Sequence, residues 1–535
     1  MNLSQNVADL QRKHVVMELE CIDRMYLNAY VPALTSEGGV AAFCRGYLGH
    51  RFASTKQCTQ MTENFIKAIH QFMEREQIPL VRFKKGQRKD DIFQKRLRQF
   101  KADHGVVFVG VVQEKARVPR TIRLKCPGGG TIPSIDYTTI LVNFYSFYCV
   151  DEDFGPFFIK FCSYFPYTAK LCLNGHEYLK RQLAKKGIDF EPLDNGLRSC
   201  ADVPAAQRIC DGLSAKKIDA FFRKWLARLP HPYSAKDRRA GYKYDLSIWQ
   251  AEFSLTQVWD RGVNGRCFFE EVIRENLDLG RPEQVQLIFH RKMKRSTVAD
   301  GRCRTRIITQ GVIPSLHVYY KNTHIKQYHK EGRALRTETT INNTYDFQVG
   351  RRLENLDQLR PIGFTANRRV LEVEKVSHDC HIGMEAFERL QGPIEVEEQR
   401  ASALRFGDKR VQALFTALCL FALQPHGFTN KQLRPLLAQL LGCPQKQITQ
   451  GRMSYDLRRL RLHQIIQRIE KTQRYQLTDL GLRTVLFCAR TYQRVLRSGL
   501  SFLHDLNPDP PAKLSRAFLQ FQKLLDQYFQ EQRAL

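Results

Sequence analysis

Phe428–Thr478 reads FTNKQLRPLLAQLLGCPQKQITQGRMSYDLRRLRLHQIIQRIEKTQRYQLT. Thr429 suits the N-cap of a first helix, Asn430–Leu441, because its hydroxyl accepts from an N–H with no partner inside the helix. Leu433, Leu436, Leu437, Leu440 and Leu441 recur at helical spacing and give that helix one apolar face. Gly442 ends it, and Pro444 follows where a helix cannot continue. A second helix fits Gln450–His463, with Met453, Leu457 and Leu460 on one side. Tyr455, Arg458 and Arg459 point away from that side in this phase, beside Arg452 and Arg461. Ile465, Ile466 and Ile469 suit a strand, and Glu470–Arg474, with Lys471, suits a polar turn. Tyr475–Leu477 suits the returning strand, and Thr478 with Asp479 caps a further helix. Helix, helix, strand, charged turn, strand, helix is the order of a winged helix-turn-helix. Arginines on such a second helix reach guanine edges and phosphates in a major groove. The plainer reading is a protein-contact module whose arginines form a solvated face.

Working outward, the charge favours nucleic acid. The 535 residues carry 84 Lys+Arg against 54 Asp+Glu, a formal net charge of +30. An excess of that size favours a polyanion, nucleic acid ahead of an acidic membrane surface. DNA is the expected partner, with RNA the alternative and no membrane partner. Hydrophobic residues make up 43%, enough for a sizeable core, and the length suggests about three domains. No run of 18 apolar residues occurs, and the polar start MNLSQNVADLQRKHVV lacks the pattern of a secretory signal. The 15 cysteines form no CxxC pair, so reduced thiols and a cytoplasmic location are expected.

The expected fold class is α+β: a mixed α/β N-terminal body with short antiparallel strands, then the winged helix-turn-helix. Segments are expected at 1–142 (N-terminal α/β region), 143–372 (central α+β domain with a polar site), 373–405 (linker) and 406–535 (winged helix with helical tail). Residues 1–100 read as mostly helical, with Phe65, Ile66, Ile69 and Phe72 on one helix face. Gly105–Val112 is a valine-rich apolar run and predicts a buried strand. Val285–His290 predicts another. Arg302–Ile308, Leu316–Tyr320, His324–Tyr328 and Ala334–Ile341 predict four short strands of an antiparallel or mixed sheet.

Two constellations carry candidate chemistry. Asp151, Glu152 and Asp153 form an acidic cluster, and His176 and Glu177 start a later helix. If they converge, Asp151, Asp153 and Glu177 are hard ligands for Mg²⁺ or Mn²⁺, with His176 beside them, as phosphoryl transfer requires. The alternative is an acidic turn plus a helix cap. In the second constellation, Lys326, Tyr328 and Lys330 alternate along one strand, so they share a face. Arg336 and Glu338 share a face on the next. A tyrosine among lysines, opposite an arginine and a glutamate, can grip a phosphate or attack it. The alternative is a cross-strand ladder of ion pairs.

The runs DEDFGPFFIKFCSYFPY, NGHEYLKRQL, YHKEGRALRTETTIN and MSYDLRRLRLHQII resemble a widespread bacterial family of winged-helix, MarR-like proteins over almost the whole chain. That resemblance implies the C-terminal DNA-binding fold but no particular activity. A second, weaker resemblance is to rolling-circle replication initiators, which carry a Tyr–x–Lys strand followed by Leu-Arg-x-Glu. Tyr328, Lys330, Leu335, Arg336 and Glu338 match that pattern. It departs at His329, where an aspartate is usual, and in having no HxH or HxQ pair of the common type. Together these give two expectations: a nucleic-acid-binding protein of a mobile element, or a nuclease using Tyr328 or a metal. A third is a structural RNA-binding protein.

Overall fold

A computed structural model describes residues 7–84, 86–125, 129, 131–276, 304–310, 313–378, 382–421, 427–470, 472–492 and 512–533. The expected strand Val285–His290 lies outside them. Two compact units emerge, one of residues 14–266 with 286–367, the other of residues 1–13, 267–285 and 368–535.

The first unit is built on one large mixed sheet of eleven strands. They are β1 (Val15–Tyr30), β2 (Leu80–Arg82), β3 (Gly105–Lys125), β4 (Thr131–Asp151), β5 (Gly155–Cys162), β6 (Ala169–Asn174), β9 (Asp245–Trp259), β10 (Arg304–Gln310), β11 (Ile313–Tyr320), β12 (Thr323–Lys330) and β13 (Ala334–Ile341). The hairpin β7 (Phe190–Leu193) and β8 (Gly196–Cys200) stands apart. The spatial order is β10-β11-β12-β13-β9-β1-β6-β5-β4-β3-β2, antiparallel throughout except where β2 runs parallel to β3.

β1 sits near the middle of this sheet. Met17, Leu19, Cys21, Met25, Leu27 and Ala29 are all buried, the period-2 pattern of a strand. A bulge between Ile22 and Met25 interrupts its pairing with β9. Helices Thr55–Arg75, Gly175–Lys185 and Ala215–Arg228 supply Phe65, Ile69, Leu179, Leu183, Phe222 and Trp225 to the same core. Ser54, Asn174 and Ser214 cap those three helices through side-chain oxygens.

Several expectations are corrected here. Residues 7–84 and 86–100 are mostly helical as expected, but the alternating VVMELECIDRMYLNAY among them makes a sixteen-residue central strand that the helical reading did not include. The buried run at Gly105–Val112 is the first half of a 21-residue strand paired along its length with β4. The boundary expected at 142/143 therefore falls inside β4, where continuous backbone pairing leaves no break. The four strands expected between residues 302 and 341 are present as β10–β13, each antiparallel to the next.

The second unit has its own core, with Leu414, Phe415, Leu433, Leu437, Met453, Leu457, Leu460, Ile465 and Val485. Its helices are Lys409–Phe421, Asn430–Leu441, Gln450–Leu462 and Asp479–Arg490, with strands β16 (Ile466–Arg468) and β17 (Tyr475–Leu477) between the last two. Thr429 forms a capping box with Gln432, and Gly442 adopts the left-handed conformation at φ 65° that its missing Cβ permits. Residues 373–405 are no linker. They hold the end of helix Leu356–His378, helix Met384–Gln391 and the hairpin β14 (Ile394–Val396) and β15 (Gln399–Ala401). Val373, Leu390 and Leu404 enter the same core, so this segment is held by apolar burial.

Candidate functional site

The acidic cluster does not assemble a metal centre. Asp151 ends β4 fully buried, and its carboxylate accepts from the backbone N–H groups of Asp153 (2.9 Å) and Phe154 (3.1 Å). Trp225 Nε1 (2.8 Å) and Lys224 Nζ (2.9 Å) complete its shell. Burial pushes its pKa up, but the Lys224 ammonium and these donors leave it below the ordinary value. Asp153 is paired with Lys185 at 2.6 Å, and Glu177 with Lys180 at 2.8 Å. His176 faces elsewhere. Each carboxylate is neutralised by its own lysine, and no group of three or more potential metal ligands exists among the described residues. Asp151, Asp153 and Glu177, expected as Mg²⁺ or Mn²⁺ ligands and catalytic groups, are each engaged by a lysine instead of converging on one site.

The second constellation does assemble, and His176 joins it. Register places Tyr328 opposite Arg336 and Lys326 opposite Glu338. Arg336 is fully buried, an unusual place for a guanidinium. Its Nη2 lies 2.6 Å from Asp23 Oδ2 and 2.7 Å from His176 Nε2. Its Nε lies 2.8 Å from Glu338 Oε1, and its Nη1 donates to the Asn195 carbonyl. Tyr328 Oη donates to the same Glu338 oxygen at 2.8 Å. A guanidinium only donates, so His176 Nε2 accepts and its proton sits on Nδ1. Asn195 Nδ2 donates to Asp23 Oδ1 at 2.6 Å, closing the network.

The charges here are strongly coupled. Burial alone would raise Asp23, but the Arg336 charge, with the Asn195 amide behind it, holds its carboxyl at about 2. Burial pushes Glu338 above its ordinary value despite Arg336, and Asp23 pushes the same way. Burial, and then the Glu338 charge, keep the Tyr328 phenol protonated well beyond its ordinary range. Burial, then Arg336, lower Lys330. Glu252, half-buried nearby on β9, is pushed up to about 7 by burial and then by the Asp23 charge. Lys326 Nζ lies 4.0 Å from the Tyr328 ring centroid, a cation–π contact.

Asp23 and Glu252 were missed in the sequence, although Asp23 left a trace. It interrupts the apolar alternation of Cys21 and Met25, where an unpaired charge would be expensive. Its partner lies 313 residues away, and no local pattern names it.

The second helix of the smaller unit presents a different surface. Arg452, Tyr455, Arg458 and Arg461 are exposed on Gln450–Leu462. Arg459 is not. It is only 7% exposed, donates to the Ala403 carbonyl and lies 3.7 Å from Asp456. Asp456 is also buried and takes Arg410 at 2.6 Å. The hairpin β14–β15 and the segment after it flank the helix, covering a side that one apolar stripe does not reveal: Ser402 meets Tyr455 at 3.1 Å and Gln399 meets Arg461 at 3.3 Å. Arg474 is corrected too, being buried with Nη2 on the Gly427 carbonyl at 2.9 Å. Lys471 lies outside the described residues. Arg468 on β16, exposed and overlooked in the sequence, adds a cation beside the helix.

Compared with known proteins, the chain matches no family model, no curated protein and no solved structure. No helix among the described residues is long and apolar enough to cross a membrane.

Proposed function

We propose that the chain binds duplex DNA through a winged helix-turn-helix formed by residues 427–490, with Gln450–Leu462 as the helix entering the major groove. The observation that carries this reading is the outward row Arg452, Tyr455, Arg458 and Arg461 on the second helix of a helix, helix, hairpin, helix arrangement. The first half of the helix, with Gln450 and Arg452, is the part that meets base edges in such folds, while the hairpin β14–β15 flanks the second half. The net charge of +30 supplies the phosphate attraction. Fluorescence anisotropy with a labelled duplex tests it. Affinity falls steeply between about 50 and 200 mM salt, and Arg452→Ala with Arg458→Ala lowers the slope by about two. A flat salt titration, or a folded double variant that binds as wild type does, removes the duplex reading. Structured RNA in place of the duplex is the competitor in the same assay.

A second reading, phosphodiester cleavage, is favoured by one contact. Tyr328 Oη donates to Glu338 while Arg336 orients that carboxylate, the nucleophile–base–orienter order of covalent catalysis. In this reading Oη attacks phosphorus, Glu338 takes the phenol proton, the bond from phosphorus to the sugar oxygen breaks, and Glu338 passes that proton to the departing oxygen, which leaves as a hydroxyl. Incubation with single strands and supercoiled plasmid, with and without Mg²⁺ or Mn²⁺, is expected to leave protein covalently on the cut strand in wild type and not in Tyr328→Phe.

A further inference from the structure

The large sheet has two unlike faces. On one, Met25, Leu27, Leu171, Ile159 and Phe161 are fully buried. On the other, the alternate residues are aromatic and cationic and remain partly accessible. Tyr26 pairs across β1 with Gln250 and Cys172, which places it beside Lys170 on β6. A register shift at Tyr26/Leu27 leaves Trp249 as the extra residue of β9. Trp249 turns to the Tyr26 side, its ring 6.2 Å from Tyr26 in an edge contact. Lys170 Nζ lies 4.0 Å from the Trp249 centroid. On β12, Lys326 and Tyr328 repeat this pairing of ammonium and ring at the same 4.0 Å.

The acids on this face are spent internally. Glu338 is bound by Arg336 and Tyr328, Glu114 by Lys160, and Glu252 accepts from Gln250 Nε2 at 2.8 Å and is pushed up to about 7 by burial. The outward balance left by Arg24, Lys170 and Lys326 is positive. Register sets the spacing. Tyr328 is level with Arg336 and Thr256, and Tyr26 with Gln250, so the two rings stand six residues apart along β9. At about 3.3 Å per residue that is about 20 Å, and because Ser254 and Thr256 between them are buried, the two rings are separate stacking positions at either end of that span.

We propose that this face is a binding platform for single-stranded nucleic acid, with bases stacking on Tyr26, Trp249 and Tyr328 and phosphates meeting Lys170 and Lys326. The chemistry is that of sequence-tolerant single-strand binding: π-faces accept any base, and cations follow the backbone. A protein-binding face of this size would need an apolar centre, whereas here Trp249 and Tyr328 are each partnered by a lysine ammonium. The platform does not rest on the duplex reading, because it uses residues of the other compact unit.

The three tryptophans give a direct readout. Trp225 and Trp259 are buried, at 1% and 0% exposure, so Trp249 is the accessible reporter. The full chain is titrated with dT and U oligonucleotides of about twelve residues, following intrinsic fluorescence and anisotropy together. Expected are quenching that saturates with binding, loss of the fluorescence change in Trp249→Phe, and affinity about tenfold weaker in Lys170→Glu with Lys326→Glu. Arg452→Ala with Arg458→Ala leaves this signal in place, which separates it from duplex binding. Thermal melting of each variant verifies folding, and Lys170→Gln is the milder substitute if the charge reversals unfold. No binding of either oligonucleotide overturns the platform. So does binding without a Trp249 signal, or equal quenching by poly-glutamate.

Discussion

Arg336 shows what one buried charge demands of a sequence. Its guanidinium is held by Asp23, Glu338, His176 and the Asn195 carbonyl, groups drawn from four separate parts of the chain. Removing it leaves Asp23 and Glu338 charged and unpaired in a poorly solvated place. Arg336→Met is therefore expected to cost about 3–5 kcal/mol by urea denaturation, and a cost under about 1 kcal/mol would show that water reaches the network. Glu252 gives a pH signature. Its folded pKa of about 7 lies above the ordinary 4.5, so the unfolded chain releases this proton first as pH rises. Stability contributed by the protonated form is complete below about pH 4.5 and is lost as pH climbs to about 7, up to about 3 kcal/mol. Glu252→Gln is expected to match wild type at pH 4.5 and to exceed it at pH 8 in parallel denaturations. Equal pH profiles would mean that Glu252 titrates normally.

At the scale of the element, helix Gln450–Leu462 carries neighbouring arginines with opposite duties. Arg458 faces water, while Arg459 ties the helix to the irregular segment after the hairpin β14–β15. Arg458→Ala is expected to change stability by less than about 0.5 kcal/mol and to weaken duplex binding. Arg459→Ala is expected to cost about 1–3 kcal/mol of stability, because Asp456 and the Ala403 carbonyl lose a buried donor. Thermal melts beside anisotropy titrations separate the two, and identical behaviour would contradict the buried position of Arg459. The helix itself was legible: Thr429, Gly442, Pro444 and the leucine spacing fixed the preceding helix within a residue of its ends. The burial of Arg459 was not, since a helix contacted on two sides hides part of its polar face.

For the whole molecule, two separate cores predict separate unfolding. All three tryptophans, Trp225, Trp249 and Trp259, lie in the sheet unit, whereas far-UV circular dichroism reads both units. Urea curves by fluorescence and by dichroism are expected not to coincide, and coincident curves would mean that the units unfold as one. The amino-acid sequence by itself determined much: the α+β class, strands β10–β13, the terminal helices and the face shared by Tyr328, Arg336 and Glu338. These follow from periodicities of 2 and 3.6 and from capping, interactions that close within a few residues. Tertiary structure alone decided the rest. It separated Asp151 from Glu177 by giving each carboxylate its own lysine, and it brought Asp23 and His176 to Arg336. It also made Val15–Tyr30 a central strand and folded 373–405 into a core. Such choices depend on contacts between residues far apart in the chain, where burial and charge neutralisation are settled by the whole sheet and no local pattern records them.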